Sequence, residues 1–221
     1  MGISTLSYIA SAAIVIPLII AIKQRKYLSK ELKILFGYLV ITFIIEVLAN
    51  IWFILNRSNH FIINAFVIIE FVLFSLIFHQ VFIGKNLKRI VLIATSIYIL
   101  VCIYTFTLVE GFQTFNSTIS TIACLLIIIW VFIYFYQLLQ QLEVKKLTIV
   151  PMFWISVSCL FYFSGTLFVF LYSDVIIFQK EPKFYYHLWN IYYVLLFIFR
   201  ILLGIGLCFS KTPLQLKPLS K

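Results

Sequence analysis

The sequence predicts an all-α membrane protein with seven transmembrane helices, and three observations carry that expectation. Apolar residues make up 64% of the 221-residue chain and charged residues only 11%, against roughly 45–50% and about 25% in soluble domains. The apolar residues fall into seven runs, each near the roughly 20 residues a helix needs to cross a hydrocarbon core about 30 Å thick. Between the runs stand nearly all of the 17 basic and 7 acidic residues. So few charges cannot cover a soluble protein of this length, whereas a bilayer in contact with the exterior removes the need.

The first run, residues 3–22, carries no charge and meets Lys23, Arg25 and Lys26 directly. It has no basic n-region and no small-residue cleavage pattern after Ile22, so it reads as a retained helix rather than a cleaved signal peptide. The second run, 34–55, is separated from the third, 61–83, only by Asn56-Arg57-Ser58-Asn59-His60, which reads as a tight turn between antiparallel helices. Four more runs follow at 88–108, 117–139, 149–172 and 186–209, and residues 210–221 form a short basic tail. The whole chain, 1–221, is expected to be one transmembrane domain. Neither side has room for a kinase or a nucleotide-binding module, so any output is expected to pass through the bundle or through a partner.

Orientation follows from the loops. One side holds Lys23, Arg25, Lys26, Lys30, Lys33, Lys85, Lys88, Arg89, Lys145, Lys146, Lys211, Lys217 and Lys221; the other holds Arg57, Lys180 and Lys183. The positive-inside rule makes the richer side cytoplasmic, with the N-terminus outside and the C-terminus inside. This topology also accounts for the net charge of +10. The basic residues form short clusters between apolar runs, with no basic face interleaved with exposed aromatics, so nucleic acid is not an expected partner. Cys102, Cys124, Cys159 and Cys208 each lie inside an apolar run without metal-like spacing and read as small buried hydrophobes.

Two pairs of segments echo one another. Ser4-Thr5-Leu6-Ser7-Tyr8-Ile9-Ala10 opens the first run and Ser117-Thr118-Ile119-Ser120-Thr121-Ile122-Ala123 opens the fifth. His60 with Asn64 opens the third, and His187 with Asn190 opens the seventh. The pattern fits a 3+1+3 plan in which the fourth helix inverts the chain, so that spans 5 to 7 repeat spans 1 to 3 in parallel; the competing reading is compositional coincidence. Such an architecture resembles the sugar-transporter and PQ-loop group, which has seven helices and an external N-terminus. The Pro-Gln dipeptide of that group is missing, and only Pro17 matches its intramembrane prolines. Carrier function is therefore not implied by the likeness.

Three ionisable residues stand at mid-membrane depth. At about 1.5 Å per residue, Glu46, Glu70 and Arg200 each lie within a few Å of the midplane. Each costs about 2.5–3.5 kcal/mol on insertion scales, so each is expected to face the interior and to have a partner. One arginine cannot neutralise two carboxylates; Arg200 is expected to pair with one glutamate while the other is protonated or hydrogen-bonded. The arrangement serves either a proton-coupled or ligand-binding site or an ion pair that sets helix order.

Glu46 and Asn50 share a face of the second helix, as do Asn190, Tyr193 and Phe197 on the seventh. Glu46, Asn50, Glu70, Asn190, Tyr193 and Arg200 are thus the candidates for a buried polar or ligand-binding cluster. Ser158, Tyr162 and Gly165 form a stripe on the sixth helix that reads first as interhelical packing.

No cofactor, metal site or catalytic residue is expected. His79 stands at the cytoplasmic end of the third helix, while His60 and His187 are external and could share a site only with Asp174 or Glu181. The seventh span has no lysine for a retinal Schiff base, and no HExxH, GxSxG, Walker or glycine-rich phosphate motif occurs.

Two stretches carry a family resemblance. Asn64-Ala65-Phe66-Val67-Ile68-Ile69-Glu70-Phe71, and Pro151-Met152-Phe153-Trp154-Ile155-Ser156 with Tyr162-Phe163-Ser164-Gly165, resemble a family of seven-helix proteins from Bacteroidetes. That family is similar to the membrane input modules of some sensor histidine kinases. The resemblance implies a bacterial inner-membrane location and a signalling role with a histidine kinase or another membrane partner, and it supplies no catalytic residue. In a bacterium the sequons at Asn56 and Asn116 carry no glycan.

Three functions remain in play. The first is a receptor-like module that binds a small or lipidic ligand in its outer half and works through a partner. The second is a small-solute or proton-coupled carrier, and the third is a membrane-embedded lipid-modifying enzyme using Glu46 or Glu70 as acid or base. The aromatic content of 19% would accommodate a homo-oligomer surface.

Overall fold

A computed structural model describes residues 5–55, 59–109, 116–140, 147–179 and 182–211. Ser4, Asn56, Arg57, Glu110, Lys145, Lys146, Lys180, Glu181, Lys217 and Lys221 lie outside the described residues, as do the side chains of Asp174 and Lys183. Among the described residues there is no strand, and seven helical spans are long and apolar enough to cross a membrane. The protein is a multi-pass, all-α membrane protein.

The first span is not the continuous helix expected over 3–22. It consists of α1, Thr5–Ala12, and α2, Val15–Lys23, with a break at Ala13 and Ile14. Pro17 is the cause: it has no N–H to offer the Ala13 carbonyl four residues back, and its ring clashes with that carbonyl. The local bonding tightens in response. The Ile14 N–H bonds the Ser11 carbonyl at 3.2 Å, and the Ile16 N–H bonds that of Ala13 at 3.2 Å, both in the i→i+3 pattern of a 3₁₀ turn.

The remaining spans are α3 (Lys30–Ile54), α4 (His60–Val81), α5 (Lys85–Tyr104), α6 (Ser117–Gln140), α7 (Pro151–Gln179) and α8 (Pro182–Cys208). α5 gives way to a π-helical turn at Thr105–Val109, where the expected fourth span continued as α-helix to 108. α7 and α8 run well past the expected limits of 172 and 186, so most of that stretch is helical. No glycine or proline interrupts residues 173–179, and Pro182 suits the first turn of a helix, where its missing N–H would be unpaired in any case.

The chief packing partners follow the chain: α2 lies against α3, α3 against α4, α4 against α6, α6 against α7, α7 against α8, and α8 returns to α1 and α2. The six spans 1, 2, 3, 5, 6 and 7 thus close a ring, and α5 rides outside it against α4. Aromatic side chains fill the ring's centre. Phe74 of α4 meets Tyr38 of α3 at 4.9 Å, Phe163 of α7 at 5.6 Å and Phe199 of α8 at 6.1 Å between centroids. Tyr162 stacks on Phe199 at 4.5 Å.

Three helices, α3, α4 and α8, differ in packing along their length, whereas α6 and α7 stay buried toward the N-terminal end at Ser117, Ile119, Ser120, Thr166 and Val169. Toward the end that carries Lys30, Lys85 and Lys211, here the basic end, α3 buries Leu32, Leu35, Tyr38, Leu39 and Thr42, and α4 buries Phe71, Phe74, Ser75, Ile77 and Phe78. Toward the opposite, N-terminal end no described residue of α3 beyond Thr42 is buried, and α4 buries only Asn64 before Glu70. α8 behaves alike, with Leu188 and Leu196 its only described buried residues before Phe199. At the basic end α8 is tied down: Ser210 Oγ donates to Gln24 Oε1, and the Lys211 ammonium sits 5.5 Å over the Tyr27 ring.

Candidate functional site

Where loose packing gives way to tight, the polar residues converge. Arg200 comes from α8 with only 2% of its side chain exposed, and its Nη2 donates to Glu46 Oε1 of α3 in an ion pair. Its Nη1 donates to the carbonyls of Ala10 and of Ser11, the latter at 3.0 Å. Those carbonyls belong to the turn disturbed by Pro17, where each also accepts an i→i+3 backbone bond, from the Ala13 and Ile14 N–H groups, and the arginine adds a second donor to each. A guanidinium cannot shed its proton, and at this depth it needs both an opposite charge and oxygen acceptors; the site provides each. Gly204, one turn further along α8, lets the two helices approach, with Pro17 Cα 3.9 Å from where a Cβ would stand.

Glu70 takes a different partner. Its Oε1 accepts from the Tyr38 hydroxyl at 2.7 Å, with Glu70 8% and Tyr38 2% exposed. Tyr38 is held by Phe66 and Phe74, and its own carbonyl accepts from Thr42 Oγ1 at 2.8 Å. The two carboxylates are therefore served separately, one by the arginine and one by a phenol. Tyr38 is the member of this polar cluster that reasoning from charge alone misses. Its signal was present nonetheless: Tyr38, Thr42 and Glu46 recur every fourth residue and form one polar stripe on α3.

The other candidates are placed as follows. Asn50 is exposed, and its Nδ2 donates to the Glu46 carbonyl of its own helix at 2.9 Å. Asn190 and Tyr193 are half-buried on α8, about 15 and about 10 Å from Arg200 along the axis. Asn190 Oδ1 is buried without a hydrogen-bond donor. Phe197 is exposed. None of these three joins the ion pair directly.

On α7 the stripe of Ser158, Tyr162 and Gly165 is used for packing. Ser158 Oγ bonds the Ile155 carbonyl at 2.7 Å, the Tyr162 hydroxyl donates to that of Tyr192 at 3.3 Å, and a Cβ at position 165 would come within 2.6 Å of Leu195. Asn64 is a further unanticipated link: its Oδ1 accepts from the Asn116 N–H at 3.4 Å, while Asn116 caps α6 by accepting from the Ile119 N–H at 2.8 Å. His187 is exposed beside Tyr186, and among the described residues no three metal-ligating side chains gather.

The chemistry available is that of a half-open carboxylate. Glu46 keeps 21% of its side chain accessible, whereas Arg200 is sealed. The accessible part of the pair is thus a carboxylate acceptor, with the cation buried behind it. Compared with models of protein families, with curated proteins and with solved structures, the chain matches none.

Proposed function

We propose that the protein is a receptor-like membrane module, oriented with its N-terminal end outside, that binds a small or lipidic ligand in its outer half and acts through a membrane partner. One observation carries this reading: packing between α3, α4 and α8 is loose toward the N-terminal end and ends on a polar floor whose Glu46 remains accessible. Small-molecule sites combine apolar walls with a few fixed polar groups in this way. The tie between α8 and the Gln24–Tyr27 segment offers a rigid link from that floor to the basic end, where a partner such as a histidine kinase would read a displacement of α8. The resemblance to seven-helix proteins of Bacteroidetes adds an inner-membrane signalling context.

The test is native mass spectrometry of the protein released from nanodiscs. A retained molecule that is not a bulk lipid, lost when Ala49 and Ile198 are enlarged to tryptophan, is the expected result; a bare protein in every preparation would sink the reading.

A carrier is the second reading, favoured by the break at Ala13 and Ile14, because discontinuous helices near the midplane recur in transporters. The ring order of the six spans suits a two-fold 3+1+3 repeat, with the α4·α6 contact answering that of α8 with the first span. Solute flux in proteoliposomes that is abolished by Arg200→Leu would favour the carrier over the receptor.

A further inference from the structure

We propose that the ligand of the outer half is a small, largely apolar molecule whose polar end is a hydrogen-bond donor, a primary ammonium or a hydroxyl, seated on the free oxygen of Glu46. The proposal rests on the reading of that half as a ligand site and assigns the chemistry the site selects.

Hydrogen-bond capacity sets the first constraint. A carboxylate has two oxygens able to accept about four bonds. Oε1 of Glu46 is taken by Arg200, and among the described residues no hydrogen bond reaches Oε2. Nor is Oε2 among the buried atoms that lack a partner, so it lies on the accessible part of the side chain. At this depth, about 12 Å from the end of α3 at Ile54 by helix rise, lipid tails offer no donor, and an unserved carboxylate oxygen is strongly disfavoured.

No donor among the described residues bonds Oε2, and the nearest polar group on α3 offers a further acceptor. One turn on, Asn50 spends its Nδ2 on the Glu46 carbonyl and leaves Oδ1 free. The cation at this depth among the described residues, Arg200, is sealed and committed to Glu46, Ala10 and Ser11. An anionic head group would therefore meet a carboxylate with no free cation, and like charges at close range are repelled.

The walls decide the rest of the molecule. Half-buried apolar residues of this half include Ala49 on α3, Phe66 and Val67 on α4 and Ile198 on α8. A phospholipid standing in the outer leaflet keeps its head group at the interface and cannot reach mid-depth, whereas a single chain that enters head first can.

The experiment uses three probes with the same tail: dodecylamine, dodecanol and dodecanoate, titrated into the full chain in phosphatidylcholine nanodiscs and counted by native mass spectrometry. The amine and the alcohol should bind at least about tenfold more tightly than the carboxylate. Glu46→Gln keeps an acceptor without the charge, and should bring the amine down to the level of the alcohol. Because that change also strands Arg200, Asn50→Leu serves as the second variant. Asn50 is exposed and bonds only its own helix, so the variant retains the fold and should weaken both donors about threefold.

Equal binding of all three probes, tighter binding of dodecanoate, or a preference untouched by both substitutions would overturn the donor assignment and leave the outer half standing as a ligand site. Absence of any bound probe would sink the assignment and the receptor reading together.

Discussion

Removing Arg200 and removing Glu46 should destabilise the protein in different ways, and pH distinguishes them. Arg200→Leu withdraws the guanidinium from Glu46 and from the Ala10 and Ser11 carbonyls. Breaking a buried pair from one side costs about 3–5 kcal/mol, well above the roughly 0.6 kcal/mol of an average interhelical hydrogen bond in a membrane. At roughly 2–4 °C per kcal/mol for a chain of this size, the melting point in detergent should fall by about 6–20 °C at pH 8. A hydrogen bond alone would move it only 1 or 2 °C, at about the same conversion.

At pH 5 the stranded carboxylate can take up a proton and become neutral while still folded. The folded variant then binds more protons than the unfolded chain, so its stability rises as pH falls, by up to about 1.4 kcal/mol for each pH unit over which the two states differ. Glu46→Leu instead strands a cation that cannot be neutralised, and its loss should be the same at pH 5 and pH 8. The double variant should recover most of the loss, because an apolar replacement of both partners is often neutral. It should fall short by only about 1 kcal/mol, the two hydrogen bonds from Arg200 to the Ala10 and Ser11 carbonyls, which keep their backbone donors. Equal pH dependence of the two single variants, or a loss below about 1 kcal/mol for Arg200→Leu, would refute the role given to the pair.

Three further outcomes follow from particular contacts. Tyr38→Phe keeps the ring between Phe66 and Phe74 but removes the donor to Glu70; thermal melting should show a loss of about 1–3 kcal/mol. Gly206→Ala should lose about 1–3 kcal/mol, because the new Cβ would stand 3.1 Å from the Pro151 carbonyl oxygen and 3.2 Å from Trp154 Cβ. Gly37→Ala, with nothing within 4 Å, should gain up to about 1 kcal/mol from helix propensity; a reversal of these two signs in the same assay would contradict the packing described for α8 against α7. In a variant without the native cysteines, single cysteines at positions 30, 85 and 217 should resist an impermeant thiol reagent in intact cells while one at 180 labels, and the opposite pattern would invert the topology argued from 13 basic residues against 3.

The division between sequence and structure follows from what a bilayer rewards. Seven spans were legible because crossing depends on apolar length, a one-dimensional property of each run. The expense of Glu46, Glu70 and Arg200 was legible for the same reason, since depth follows from position along a helix. The break in the first span was half legible: Pro17 was in plain view, but its effect falls four residues earlier, and the carbonyls of that turn matter only because Arg200 arrives from the far end of the chain.

Which glutamate meets the arginine, that Tyr38 serves the other, and that Asn64 reaches Asn116 were decided by tertiary structure alone. In a soluble helix an apolar stripe marks the buried face, but lipid tails are as apolar as the core, so the faces of these helices carry no such mark. Their rotation and order are set by close packing and by a few polar contacts between residues as distant in sequence as Arg200 and Ala10. Those contacts exist only once the ring of helices has closed.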